Sequence, residues 1–130
     1  MNRKLTRFVL LSVFATIFLP FISAAATDDM VVRAIQHLLA YVEASDCIFI
    51  RNGQEHNSHE AAKHLKAKYD YFMFNIKTPE EFIEKAASKS MMDGPYWVRC
   101  ADHSPISSAE WLTQELANYR NTIHDNAFAK

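Results

Sequence analysis

Glycine is almost missing from this 130-residue chain, which has only Gly53 and Gly94. There is no Gly-rich phosphate loop and no G-x-S-x-G nucleophile elbow. Each glycine therefore reads as a forced turn. Cysteine is as sparse: Cys47 and Cys100 lie 53 residues apart, without the C-x-x-C spacing of a redox site. Neither cysteine sits where a lipoprotein would need one, near the small-residue run at 23–26. Both read as structural, so a Cys-His nucleophile has no cysteine to use. Acids are scattered and mostly accounted for by helix caps, which leaves no acid/base pair and no nominated catalytic residue. Repeats and low-complexity linkers are also lacking.

What is present begins with an N-terminal pattern. Arg3, Lys4 and Arg7 precede an apolar run of about 12 residues, Phe8 to Leu19, followed by Pro20 and Ser23-Ala24-Ala25-Ala26. This is the form of a cleaved signal peptide over 1–25, and the run is short of the roughly 20 residues of a membrane span. Residues 26–130 then form one small domain. Removing Arg3, Lys4 and Arg7 changes the balance from 14 cations against 15 acids to 11 against 15, a charge of −4. A mildly acidic domain is a poor nucleic-acid binder and a poor match for an anionic lipid surface.

Periodicity predicts four helices and two strands. Val31, Ile35, Leu38 and Val42 make the apolar face of a helix from Asp28 to Ala44, capped by Thr27 or Asp28. Cys47 to Arg51 reads as a strand stopped by a tight turn at Asn52-Gly53. Asn57 and Glu60 have capping-box spacing, and Ala61, Leu65, Tyr69 and Phe72 form the apolar face of the helix they open. Tyr69 to Ile76 fits either a helix end or an extended segment. Thr78-Pro79-Glu80-Glu81 opens a third helix, with Phe82, Ile83, Ala86 and Ala87 facing inward. Asp93-Gly94-Pro95 makes a turn into a second strand, Tyr96 to Cys100. Ser107 and Glu110 open the last helix, with Leu112, Leu116, Tyr119 and Ile123 on one face and fraying from Asp125.

The expectation is an α+β domain in the order α-β-α-α-β-α, a two-stranded antiparallel sheet packed with four helices. Two cysteines in an exported chain point to a disulfide. Antiparallel pairing with Cys47 opposite Cys100 sets Phe49 beside Val98 and Arg51 beside Tyr96. Parallel pairing with Cys47 level with Tyr96 would separate the sulfurs by about 13 Å along the strand, too far for a disulfide.

The stretch HEAAKH, His59 to His64, sits on the second helix. Histidines four apart diverge by about 40° and can share a zinc ion. His59 and His64 are five apart and diverge by about 140°, so this is no H-E-x-x-H zinc site. Glu60 and His64 do share a face, and His56 can fold over them. His56, Glu60 and His64 are thus an alternative ligand set for zinc or another divalent metal, in a chain otherwise expected to carry no cofactor. His59 reads as solvated. Arg51, Asn52, Lys68 and Arg99, with Arg51 and Arg99 placed on one sheet face, form with the free amides of the second helix a place for a small anion or a partner's carboxylate. Ser88 and Ser90 read as helix-end caps.

The blocks IFIRNG, EAAKHLKAK, TPEEFIEKAASKS and GPYWV occur in that order between about Ile35 and Leu116. In this the chain resembles the YfeK-like family, small exported proteins of Gram-negative bacteria with a domain of unknown function. The resemblance falls on Arg51, Asn52, Gly53, Glu60, His64, Leu65, Lys68, Thr78, Phe82, Ser88, Ser90, Gly94, Pro95 and Tyr96. The family pattern has one more residue between the glycine and the Pro-Tyr, so the turn before the second strand is tighter here. The resemblance implies a periplasmic location and supplies no activity. The function expected is a non-enzymatic binding or accessory module of the cell envelope, its surface formed by Arg51, Asn52, His56, Glu60, His64 and Lys68. Its partner would be an envelope protein, a cell-wall fragment or a small anion. The alternative is a metal-dependent or acid/base hydrolase using His64 and Glu60.

Overall fold

The computed structural model describes residues 24–92, 94–101 and 103–129. The signal-peptide pattern lies outside them apart from its last two residues. Four helices are present: α1 (Ala24–Ala44), α2 (Ser58–Phe72), the short α3 (Pro79–Phe82) and α4 (Ser108–Phe128). Four strands accompany them: β1 (Ile48–Arg51), β2 (Gln54–His56), β3 (Trp97–Arg99) and β4 (Ile106–Ser107). The α+β class holds, but the sheet has four strands rather than two, in the order β2-β1-β3-β4 and antiparallel throughout.

The two extra strands have local causes. Asn52 and Gly53 both take positive φ, 51° and 77°. That conformation turns β1 straight back into β2 as a two-residue hairpin. Gln54-Glu55-His56 has no apolar alternation, so only the turn gives the strand away. β4 is two residues long and runs directly into α4.

Between β1 and β3 the register sets Phe49 opposite Val98, as the cysteine argument requires, and Cys47 and Cys100 form a disulfide. The same register overturns one expectation. Directly opposed residues share a face, as do alternate residues along one strand, and adjacent residues do not. Ile48 opposes Arg99, so Arg99 belongs with Ile50 and Trp97 on the outer face. Arg51 belongs with Phe49 and Val98 on the inner one.

The core lies between that inner face and the helices, with Ile35, Leu38, Val42, Phe82, Leu112 and Leu116 nearly or wholly inaccessible. Asn57 caps α2 with the reciprocal box, accepting from the Glu60 N–H while the Glu60 carboxylate accepts from the Asn57 N–H. Thr78 caps α3 with Pro79 at its first turn, and Ser107 caps α4. The ambiguous stretch ends α2 at Phe72 and closes with a 3-10 turn, Met73–Asn75. α3 widens into one π turn, Ile83–Ala87, that buries Ala86 and Ala87 completely.

Three helix-end expectations are corrected. α1 begins at Ala24, so Thr27 and Asp28 lie inside it rather than at a cap; an alanine run is the best helix former available. α4 continues past Asp125 to Phe128 as a helix exposed on all sides. Ile123 is half exposed because α4 has outrun the core by that point.

Candidate functional site

The site is built where α2 crosses the inner face of the sheet. On α2 the spacing Ala61, Leu65, Lys68 runs along the buried stripe, so the sequence itself drives a lysine inward. Only its ammonium needs partners, since the alkyl stem packs as an apolar chain. Tyr96, just ahead of β3 and on the Val98 side of the sheet, is buried and aims its hydroxyl at α2. His64 Nε2 lies 2.9 Å from that hydroxyl. Lys68 Nζ donates to the same oxygen at 3.4 Å and to the Lys89 carbonyl at 2.5 Å. The ammonium also stands 5.1 Å from the centre of the Tyr96 ring, a cation–π contact.

The electrostatics follow from burial and from charge of one sign. Burial first, then the positive charges of Arg51 and Lys68 and the neighbouring His56, lowers the His64 pKa from 6.5 to about 4. Lys68 is pushed below its ordinary value by burial and by Arg51 and Lys89. Burial raises Tyr96, partly offset by Arg51. With His64 neutral and its proton on Nδ1, Nε2 can accept a hydrogen bond from the Tyr96 hydroxyl while the Tyr96 oxygen accepts one from Lys68. Arg51, half buried at the end of β1, has no carboxylate partner among the described residues. Neither has Lys68 among them.

The other expected site residues divide. His56 shares the inner face with Arg51, its Nδ1 3.6 Å from Glu60 and its buried Nε2 without a hydrogen-bond partner among the described residues. Together with Phe49, Arg51, His64, Tyr96 and Ser108 it lines a cavity of about 30 Å³, room for about one water molecule. Glu60 turns away to its capping role, its side chain 57% exposed, and does not line that cavity. Asn52 faces the 90–94 turn, where a Cβ on Gly94 would come within 2.8 Å of its Oδ1. Arg99 is removed to the outer face and ion-paired with Glu55 at 2.7 Å. His59 is exposed, as expected, and bonds Glu43 on α1 at 3.1 Å. Ser88 caps back onto the Glu84 carbonyl at 2.5 Å, and Ser90 Oγ accepts from the Met92 and Gly94 amides.

His56, Glu60 and His64 are therefore not brought together as a ligand set. Among the described residues no three His, Cys, Asp or Glu side chains are grouped as a metal ion would need. The residue that motif reading passed over is Tyr96, the hinge of the polar network. Its signal was its place in the strand, in step with inward-facing Val98.

A family model described as "Family of unknown function (DUF5329)" matches residues 29–120. The uncharacterised protein YfeK of Salmonella typhimurium (strain LT2) is 39% identical over 72 residues, which cover 55% of this chain and 58% of that protein. The chain thus spans less than two thirds of that relative's length. No solved structure matches at a significant level.

Proposed function

The chain belongs to this YfeK-like family of unknown function, and from that premise we propose that it is an exported, non-enzymatic binding module of the cell envelope. Its site takes an anionic group, carboxylate or phosphate, from a cell-wall fragment, an envelope protein or a free small molecule. One observation carries the reading. Arg51 and Lys68 are drawn into the same partly buried corner, and among the described residues no carboxylate neutralises either. Cations held together out of water cost free energy unless an anion joins them. Export is supported by the N-terminal pattern and by a disulfide of the kind that persists in oxidising compartments. Among the described residues, no helix is long and apolar enough to cross a membrane.

The hydrolase alternative finds no matching support. A catalytic pair needs a cleft holding both groups, and Glu60 does not line the cavity beside His64. The test is a crosslinked pull-down from periplasm with wild type, Arg51→Ala and His64→Ala, alongside titration with phosphate and acetate followed at the His64 and Tyr96 resonances. Wild type should show saturable shifts that Arg51→Ala loses. Identical captured proteins in all three, with no anion-dependent shift, would sink the reading.

A further inference from the structure

The opposite side of Lys68 opens onto a second feature, which shares that lysine with the anion corner and is otherwise distinct from it. A groove of about 530 Å³ runs between α2, its 3-10 turn and the segment after the π turn, and Lys68, Lys85, Lys89, Phe72 and Met91 line it. Both of its rims carry large apolar side chains in the open. Phe74 is 81% exposed on the 3-10 turn, and Met91 and Met92 are 71% and 87% exposed on the facing turn. Tyr71 and Met73 are exposed next to Phe74. Among the described residues, half of the exposed large apolar side chains are gathered at this one end.

The arrangement inverts a protein–protein interface, in which an apolar centre is ringed by polar groups. Here the centre holds three lysines with Asn75 and Ser90, Lys85 standing 4.0 Å from the Glu81 carboxylate, and the ring is apolar. That order fits a lipid surface, with a phosphate headgroup in the groove and rim side chains among the acyl chains beside it. The acidic balance of the whole domain does not oppose this, because charge acts over roughly 8 Å at physiological salt and the lysines are local to the groove. Lys68 uses two of its three N–H groups, on Tyr96 and the Lys89 carbonyl. Lys85 holds the Asn75 carbonyl at 2.6 Å, which ties the Phe74 turn to the groove wall.

We propose that this end of the molecule docks on a bilayer surface containing anionic phospholipid, its groove taking a headgroup phosphate and Phe74, Met91 and Met92 entering the interface.

The test is flotation of the protein, purified from the exported fraction, with vesicles of phosphatidylethanolamine and phosphatidylglycerol, against phosphatidylcholine vesicles. Binding is expected on the first. On the neutral vesicles, or at high salt, it should weaken by roughly fivefold for each lysine deprived of its anionic headgroup. Combined Phe74→Ser, Met91→Ser and Met92→Ser should reduce binding roughly tenfold or more with the circular dichroism and melting curve unchanged. No vesicle binding overturns the proposal. So does binding equal on both vesicle types, or binding that survives in the triple variant. A triple variant that loses self-association or a protein partner, without wild-type vesicle binding, assigns the rim to protein docking instead. The triple variant keeps the phosphate-dependent shifts at His64, so failure here and failure of the anion site are read separately.

Discussion

Arg51 and Arg99 lie on neighbouring, paired strands, yet the sheet treats them in opposite ways. On the outer face Arg99 is partly exposed and pairs with Glu55 at 2.7 Å. On the inner face Arg51 is half buried, meets no acid among the described residues, and pushes its charge onto His64, Lys68 and Tyr96. An exposed pair contributes little and asks nothing of a ligand. A partly buried cation without a counterion leaves electrostatic stabilisation to be supplied from outside. The contrast is why Arg51 stays in the candidate site and Arg99 leaves it.

The largest disturbance of that contrast comes from the bond that locks the register. Replacing both Cys47 and Cys100 by serine should cost about 4 kcal/mol for a 53-residue loop, read as a lower denaturation midpoint, and should place wild type under reducing conditions at the same value. Two free thiols titrated in the oxidised, denatured protein would refute the premise.

Next in size is the inner face's polar hinge. Tyr96→Phe keeps the ring and removes the hydroxyl shared by His64 and Lys68. Stranding those two groups should cost about 1–3 kcal/mol in chemical denaturation. A wild-type midpoint would mean the hydroxyl network contributes nothing.

A smaller effect should appear with pH. His64 titrates near 4 in the fold against 6.5 when free. Below pH 6.5 the unfolded chain binds a proton that the folded chain refuses, so stability falls as pH drops toward 4 and the His64 contribution levels off below it. Arg51→Met removes the largest cause after burial, and the His64 titration followed by NMR should then move up toward its ordinary value. Bound phosphate should move it the same way, whereas Arg99→Met should not.

The smallest effect belongs to the outer face. Arg99→Ala should change stability by no more than about 0.5 kcal/mol, measured in the same denaturation assay. A loss comparable to that of Tyr96→Phe would erase the distinction between the faces.

Much of this was legible residue by residue. The caps at Asn57, Thr78 and Ser107 declare themselves because a side chain three residues from an unpaired amide can satisfy it locally. The turn at Asn52-Gly53 is plain for a similar reason: few residues accept positive φ. The strand after it was missed because Gln54-Glu55-His56 owes its place to pairing with β1 and not to its own pattern. The placing of Arg99 beside Arg51 was an error of face, since strict alternation from Phe49 opposite Val98 separates them. Glu60 and His64 were rightly put on one helical face, but the cap claims Glu60.

Chain order, helix caps, the disulfide and the β1–β3 register thus follow from rules that act over a few residues or through one covalent bond. The partners of the buried charges do not. His64 meets Tyr96 across 32 positions of chain, and Lys68 can be seen to point inward without any sign of what receives its ammonium. Whether a cation finds an acid depends on which side chains the packing of helix on sheet brings within a few ångströms, and electrostatic energy falls off with that distance and with solvent access. Packing left Glu55 to Arg99 and no carboxylate, among the described residues, to Arg51.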